Sequence, residues 1–181
     1  MMITPKLRKP ALAMVFTALA LTLIPLTSSQ VMADMFGFFK RYDVHLSPEV
    51  HGRITLNGTP LEEVQVSREL TYGKEYLDRT TTDVNGRFYF AEKNIRSGIP
   101  GKLFNETRNR QVIVADYEGE KYLLWHTVTD SIEPHETLTQ LLKSMDCELS
   151  NPEKLQHFER HENPSFTHNI HSICRWSEDE H

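Results

Sequence analysis

The chain has 181 residues, 39% of them hydrophobic and 25% charged, with 20 Lys+Arg against 25 Asp+Glu and a formal charge of −5. That length supports one domain with a proper core. The acidic balance argues against general binding to nucleic acid or to anionic membrane, since both partners need basic surface.

Lys6, Arg8 and Lys9 precede an apolar run from Ala11 to Leu26, and Val31-Met32-Ala33 places small residues around a cleavage point after Ala33. This pattern is expected to be a secretory signal peptide over 1–33, sending the remainder to the periplasm or outside the cell. The run is shorter than the ~20 residues that span a bilayer, so no stable membrane span is expected after cleavage. The 148 residues that follow carry a net charge of −8 once the three basic residues are removed. They divide into an N-terminal segment, 34–49, and a domain, 50–181.

Along that domain, period-two alternation and turn signals dominate. "HGRITLNG" (51–58) reads as a strand ending in an Asn57-Gly58 turn, and Thr59-Pro60 leads into "LEEVQVSREL" (61–70), where Val64, Val66 and Arg68 share a face. "EYLDRTTT" (75–82) is a further strand. Asp83-Val84-Asn85-Gly86 then turns the chain, with Asp83 accepting hydrogen bonds from the turn backbone and Gly86 at positive φ. "RFYF" (87–90) points Phe88 and Phe90 to one side. Residues 91–110 are polar and read as the longest loop. "QVIVADYEGEKYLLWHTV" (111–128) is a hairpin turning at Glu118-Gly119. Val112 and Val114, with Leu124 and Trp125, are expected in the core beside Val64, Val66, Phe88 and Phe90. Residues 131–145 place Leu138, Leu141, Leu142 and Met145 at helical spacing, while Met145, Cys147 and Leu149 alternate as a strand, so a helix or irregular piece running into a strand is expected. Residues 151–169 are polar and loop-like, with a helical turn drawn over Pro152 to His161. "SICRW" (172–176) reads as a terminal strand. About seven or eight short strands with turns between them indicate an all-β antiparallel sandwich or barrel.

The sequence Val50-x-Gly52-x-Ile54, Asn57-Gly58-x-Pro60-Leu61-x-x-Val64-x-Val66 and Thr80-Thr81-Thr82-Asp83-x-Asn85-Gly86-x-Phe88-x-Phe90 resembles the carboxypeptidase-regulatory-like, or transthyretin-like, β-sandwich module. The likeness covers residues 50 to 91. "FFKRYDVHLSPEVHG" (38–52), Trp125 and the Cys147…Cys174-x-Trp176 tail are similar to an uncharacterised family of exported gammaproteobacterial proteins. The first resemblance implies a module that binds, braces or extends other proteins and carries no catalytic residues. The branch of that fold that hydrolyses 5-hydroxyisourate ends in Tyr-Arg-Gly-Ser, which this chain lacks, so that activity is not implied.

The two cysteines, Cys147 and Cys174, are expected to form one disulfide in an exported chain, closing a 27-position loop worth about 3.5 kcal/mol by chain entropy. Nine histidines are many. The pairs His157/His161 and His168/His171, with the cysteines, can be drawn as a metal site if they lie on helical turns. The competing reading is chance recurrence in exposed loops with the cysteines oxidised. No Gly-x-Ser-x-Gly elbow, His-Glu-x-x-His motif or glycine-rich phosphate loop is present. No catalytic, cofactor-binding or metal-ligating residue is therefore assigned. The aromatic residues, Trp125 and Trp176 among them, are expected mostly in the core or along a sheet edge. The expected function is a non-enzymatic binding module whose partner is another protein. The alternatives are an inhibitor or immunity protein against a periplasmic toxin, and a metal- or histidine-dependent hydrolase.

Overall fold

A computed structural model describes residues 40–101 and 108–176; the expected signal peptide, part of the 91–110 loop and His181 lie outside the described residues. The described residues from Arg41 onward form an all-β sandwich with one short helix. One layer is a six-stranded antiparallel sheet in the order β11 (Lys154–Arg160), β12 (Asn163–Ser172), β9 (Glu120–Thr129), β8 (Asn109–Tyr117), β4 (Gln65–Tyr72), β5 (Lys74–Thr81). Facing it are a four-stranded sheet and a two-stranded one. In the first, β2 (Val50–Leu56) pairs with β3 (Thr59–Pro60), β6 (Arg87–Phe90) and β10 (Met145–Glu148). In the second, β1 (Tyr42–Ser47) pairs with β7 (Lys93–Ser97). Helix α1 (Glu136–Leu142) buries Leu138 and Leu142 in the main core.

The core follows the alternation rule for a half-buried strand. Val50 and Ile54 from β2, Phe88 and Phe90 from β6, Val66 from β4 and Ile170 from β12 meet between the layers. A second cluster holds Val44 and Leu46 from β1 against Leu70 and Tyr72 of β4. Arg68 lies between Val66 and Leu70 on that same inward face and is 3% exposed. Its Nη2 donates to Asp78 Oδ2 at 2.7 Å and its Nη1 to the Ala91 carbonyl at 2.9 Å, while the guanidinium covers the Phe90 ring at 4.9 Å. Lys93 adds a second cation to Asp78 at 2.9 Å. Burial pushes the Asp78 carboxyl up, but the hydrogen bonds from Arg68 and Lys93 outweigh it and hold the group below the ordinary aspartate range.

Two turns fall where the residues require them. Asn57-Gly58 and Glu118-Gly119 both take positive φ (53° and 77°, 54° and 83°), the two-residue connection whose twist suits antiparallel strands. Gly86 has φ 72°, and Asp83 Oδ1 accepts from the backbone N–H of Asn85 and Arg87 at 2.9 and 2.8 Å. This Asp83–Gly86 turn is not a hairpin, however. It carries the chain from β5 in one layer to β6 in the other, where β6 pairs with β2.

Several expectations need correction. Ile113 and Ala115, not Val114, face the main core; Val114 is half-buried on the outer side of β8, while Val112 is buried as expected but lies outside the main cluster. A continuously apolar run carries no phase, so sequence alone cannot orient it. Leu124 and Trp125 are adjacent yet both buried, because the β8–β9 register shifts between Ile113 and Val114 and a bulge turns both inward. Residues 91–110 are not one loop, since Lys93–Ser97 is β7 and Ile99–Gly101 a 3-10 turn. The 151–169 segment is the β11–β12 hairpin, not a loop with a helical turn. Its polar residues suit an outer strand exposed on its edge. "SICRW" has already left the strand at Ile173, crosses toward β10 through an Asp146–Arg175 bridge, and brings Cys174 to Cys147. Those two cysteines are disulfide-bonded.

β10 runs parallel to β2, in contrast to the antiparallel pairs around it. Glu148 fixes that junction. Its carboxylate accepts from Thr55 Oγ1 (3.0 Å), from the Asn57 and Gly58 N–H groups (2.8 and 2.9 Å) and from Ser150 Oγ (2.8 Å). Partial burial raises its pKa, but the backbone donors of Gly58, Ser150 and Asn57 outweigh that and bring it down to about 2.

Three measurements test this packing. Phe88→Ala is expected to lower stability by about 3–5 kcal/mol in denaturant titration, through lost transfer energy and the cavity left behind. A Cβ at Gly86 would lie 2.4 Å from the Ile54 carbonyl oxygen. Gly86→Val is accordingly expected to cost more than about 2 kcal/mol and clearly more than Asn85→Ala. Because the Glu148 carboxyl has a depressed pKa in the folded state, its stabilisation is complete above about 4.5 and lost as pH falls toward about 2. Glu148→Gln is expected to flatten the stability-versus-pH curve in that window, and an unchanged slope would contradict the assignment.

Candidate functional site

The outer face of the six-stranded sheet carries a concave surface. Alternation along β4 and β5 leaves Glu69, Leu77 and Arg79 outward, and β8 and the start of β9 add Val114, Asp116 and Lys121. Together they line a groove of about 660 Å³ with mixed charge and two aliphatic side chains. Arg110 and Glu69 form an ion pair across β8 and β4 nearby. At one margin stands β5, whose eight residues pair with β4 in unbroken register from Thr81 to Lys74. Among the described residues no strand pairs with its other edge. A smaller hollow of about 390 Å³ on the outer side of β2 is lined by His51, Arg53, Arg87, Lys143 and Asp146.

Among the described residues, a cluster of reactive side chains lies elsewhere, where α1 meets the tip of the β11–β12 hairpin. His135 immediately precedes the helix, Glu162 sits in the hairpin turn, and His168 points inward from β12 in phase with Ile170 and Ser172. Thr137 holds these pieces together, donating from Oγ1 to the Glu159 carbonyl at 3.1 Å and accepting from the His161 N–H at 3.0 Å. His135 Nδ1 lies 2.5 Å and His168 Nε2 3.5 Å from the same oxygen, Glu162 Oε1. The two rings meet edge to face with centroids 4.8 Å apart. Burial, then the charges of His135 and Arg160, push the His168 pKa below its ordinary value. One nitrogen of each ring and one carboxylate oxygen lie within 4.8 Å of one another, so these three residues could hold a metal.

The histidine pairs drawn from spacing do not form a site together. His157 is on a strand, where its Nδ1 lies 2.7 Å from Asn169 Oδ1, and His161 is exposed in the turn. His171 instead contacts His126 across β12 and β9, with centroids 5.8 Å apart. Cys147 and Cys174 are oxidised together and offer no thiolate. Only His168 from those pairs joins the cluster. His135 and Glu162 escaped notice because their partners are distant in sequence and the hairpin that joins them reads as loop. The aromatic residues behave largely as expected: Trp125 is fully buried, and Trp176 packs against it and Phe158 while donating from Nε1 to the Leu141 carbonyl at 2.8 Å. No helix among the described residues is long and apolar enough to cross a membrane.

Neither the curated proteins nor the solved structures include a match to this chain. A family model does match, over residues 50–152, from the start of β2 to just beyond β10. That span takes in the four-stranded sheet, the Asp83–Gly86 corner and the β8–β9 hairpin, and more than half of the sequence, so the chain belongs to the family described as a domain of unknown function, DUF6795.

Proposed function

We propose that the protein is an exported, non-enzymatic binding module that receives a segment of another protein along β5. The observation that carries this reading is the free outer edge of β5 beside the groove. An extended peptide laid along such an edge gains main-chain hydrogen bonds, and its alternate side chains reach the adjoining sheet face. Here that face offers Leu77 and Val114 to apolar side chains, Arg79 and Lys121 to acidic ones, and Glu69 and Asp116 to basic ones. Leu77 is 45% exposed, an unusual placement for an aliphatic residue at the centre of an edge strand. The likeness of residues 50–91 to transthyretin-like modules, whose usual work is to bind or brace, supports the same reading. The apolar run and cleavage pattern of residues 1–33 support export to the periplasm or beyond. Inhibition of a toxin is one use of such a surface, recognised by loss of the partner's activity in the complex.

Photo-crosslinking in periplasmic extract tests the surface. A photoreactive residue at position 77 or 79 is expected to give one discrete, saturable adduct, competed by excess unmodified protein. The same probe at Val128, exposed on the same face but on β9, with β4 and β8 between it and β5, is expected to give none. Absence of any adduct at 77 and 79, or the same adducts from all three positions, would overturn the reading.

A further inference from the structure

We infer that His135, Glu162 and His168 form a binding site for a divalent transition-metal ion of the zinc type, independent of the edge-strand surface. Three observations converge. The first is geometry. Zinc bonds to nitrogen and oxygen of about 2.0–2.1 Å in a tetrahedron place neighbouring ligand atoms about 3.3 Å apart. The two separations measured to Glu162 Oε1, 2.5 and 3.5 Å, flank that value, and all three ligand atoms lie within 4.8 Å of one another, so a modest movement of the two rings meets it.

The second is unmet bonding capacity. His168 Nε2 is buried with no hydrogen-bond partner, on a side chain only 1% exposed. A buried polar atom left unsatisfied costs about 1–3 kcal/mol, so a native fold keeps such atoms where something else satisfies them. The carboxylate oxygen is too far to bond His168 well, yet it lies within 3.5 Å of a nitrogen of each ring. A cation there turns two rings competing for one acceptor into three donors around one ion.

The third is support. Thr137 ties the start of α1 to both sides of the hairpin turn, so the three ligands come from segments already fixed to one another. Two imidazoles and one carboxylate are a borderline donor set, matched to zinc rather than to calcium or magnesium, which take mostly oxygen. With three protein ligands the fourth position stays open to water or to a ligand's own donor atom.

The test uses zinc alone on the purified full chain, freed of metal with chelator and titrated by calorimetry. One zinc ion per chain and a rise in melting temperature on binding are expected. Cobalt in its place should give the visible absorption of a tetrahedral nitrogen and oxygen site. Glu162 lies in an exposed turn, so Glu162→Gln leaves the fold intact, as near-ultraviolet circular dichroism will check. Glu162→Gln and His135→Gln are each expected to weaken zinc by at least about 10-fold, the lower end of the range seen when a metal's supporting residues are disturbed. His126→Ala and His157→Ala should leave affinity unchanged. No saturable zinc binding, wild-type affinity in both Glu162→Gln and His135→Gln, or an equal loss in His157→Ala would overturn the site.

Discussion

Arg68 occupies the seam between the two core clusters, and the sandwich closes only because its charge is answered there. Val66 and Leu70 on either side belong to different clusters, so the guanidinium lies inside the layer, not at its rim. Removing a charge from water is costly enough that a buried ion pair rarely adds stability over well-packed apolar residues. What it supplies here is position. The pair with Asp78 sets β5 against β4, the Ala91 carbonyl fixes the exit from β6, and Lys93 draws in β7. Four strands from both layers thereby take their places around one cation.

A second polar line extends that arrangement. The Leu46 carbonyl on β1 accepts from Asn109 Nδ2 at 2.7 Å and from Gln111 Nε2 at 2.8 Å, and Gln111 in turn accepts from Trp125 Nε1 at 3.3 Å. The small two-stranded sheet is thus fastened to the large one by directional bonds beside a modest apolar cluster. The other end of the molecule relies on apolar contact, with Trp176, Phe158 and Trp125 stacked edge to face beneath α1.

The sequence was readable where a single face is buried and a turn needs a particular residue. Val66, Phe88 and Phe90 sit in the core, and Gly86 and Asp83 play the parts their chemistry predicts. It was unreadable where neither condition holds. Val112 to Ala115 has no polar residue to mark its phase, and the bulge that buries both Leu124 and Trp125 leaves no local sign. The β11–β12 hairpin is polar because it ends the sheet, and an edge strand with both faces partly wet has the composition of a loop. The histidine cluster was hidden for that reason. Glu162 is 27 positions from His135, and only the hairpin's return brings His168 beside them. By contrast, the disulfide needed no geometry, since the chain's two cysteines allow a single intramolecular pairing.

The parallel pairing of β10 with β2 has a consequence for how the chain reaches this state. Thr55, Asn57 and Gly58 are 93, 91 and 90 positions ahead of the Glu148 carboxylate that binds them. During synthesis β2 and its turn are made long before their partner exists. The β2–β3 and β4–β5 hairpins can form at once, since their contacts are local, but one side of β2 must wait for residues near the end of the chain. Bringing ends so far apart together is entropically slow, and rates fall as native contacts become more distant in sequence. Until β10 arrives, the inner strand of the four-stranded sheet is an open edge. In that interval the growing chain is most prone to pair with a neighbour instead of with itself.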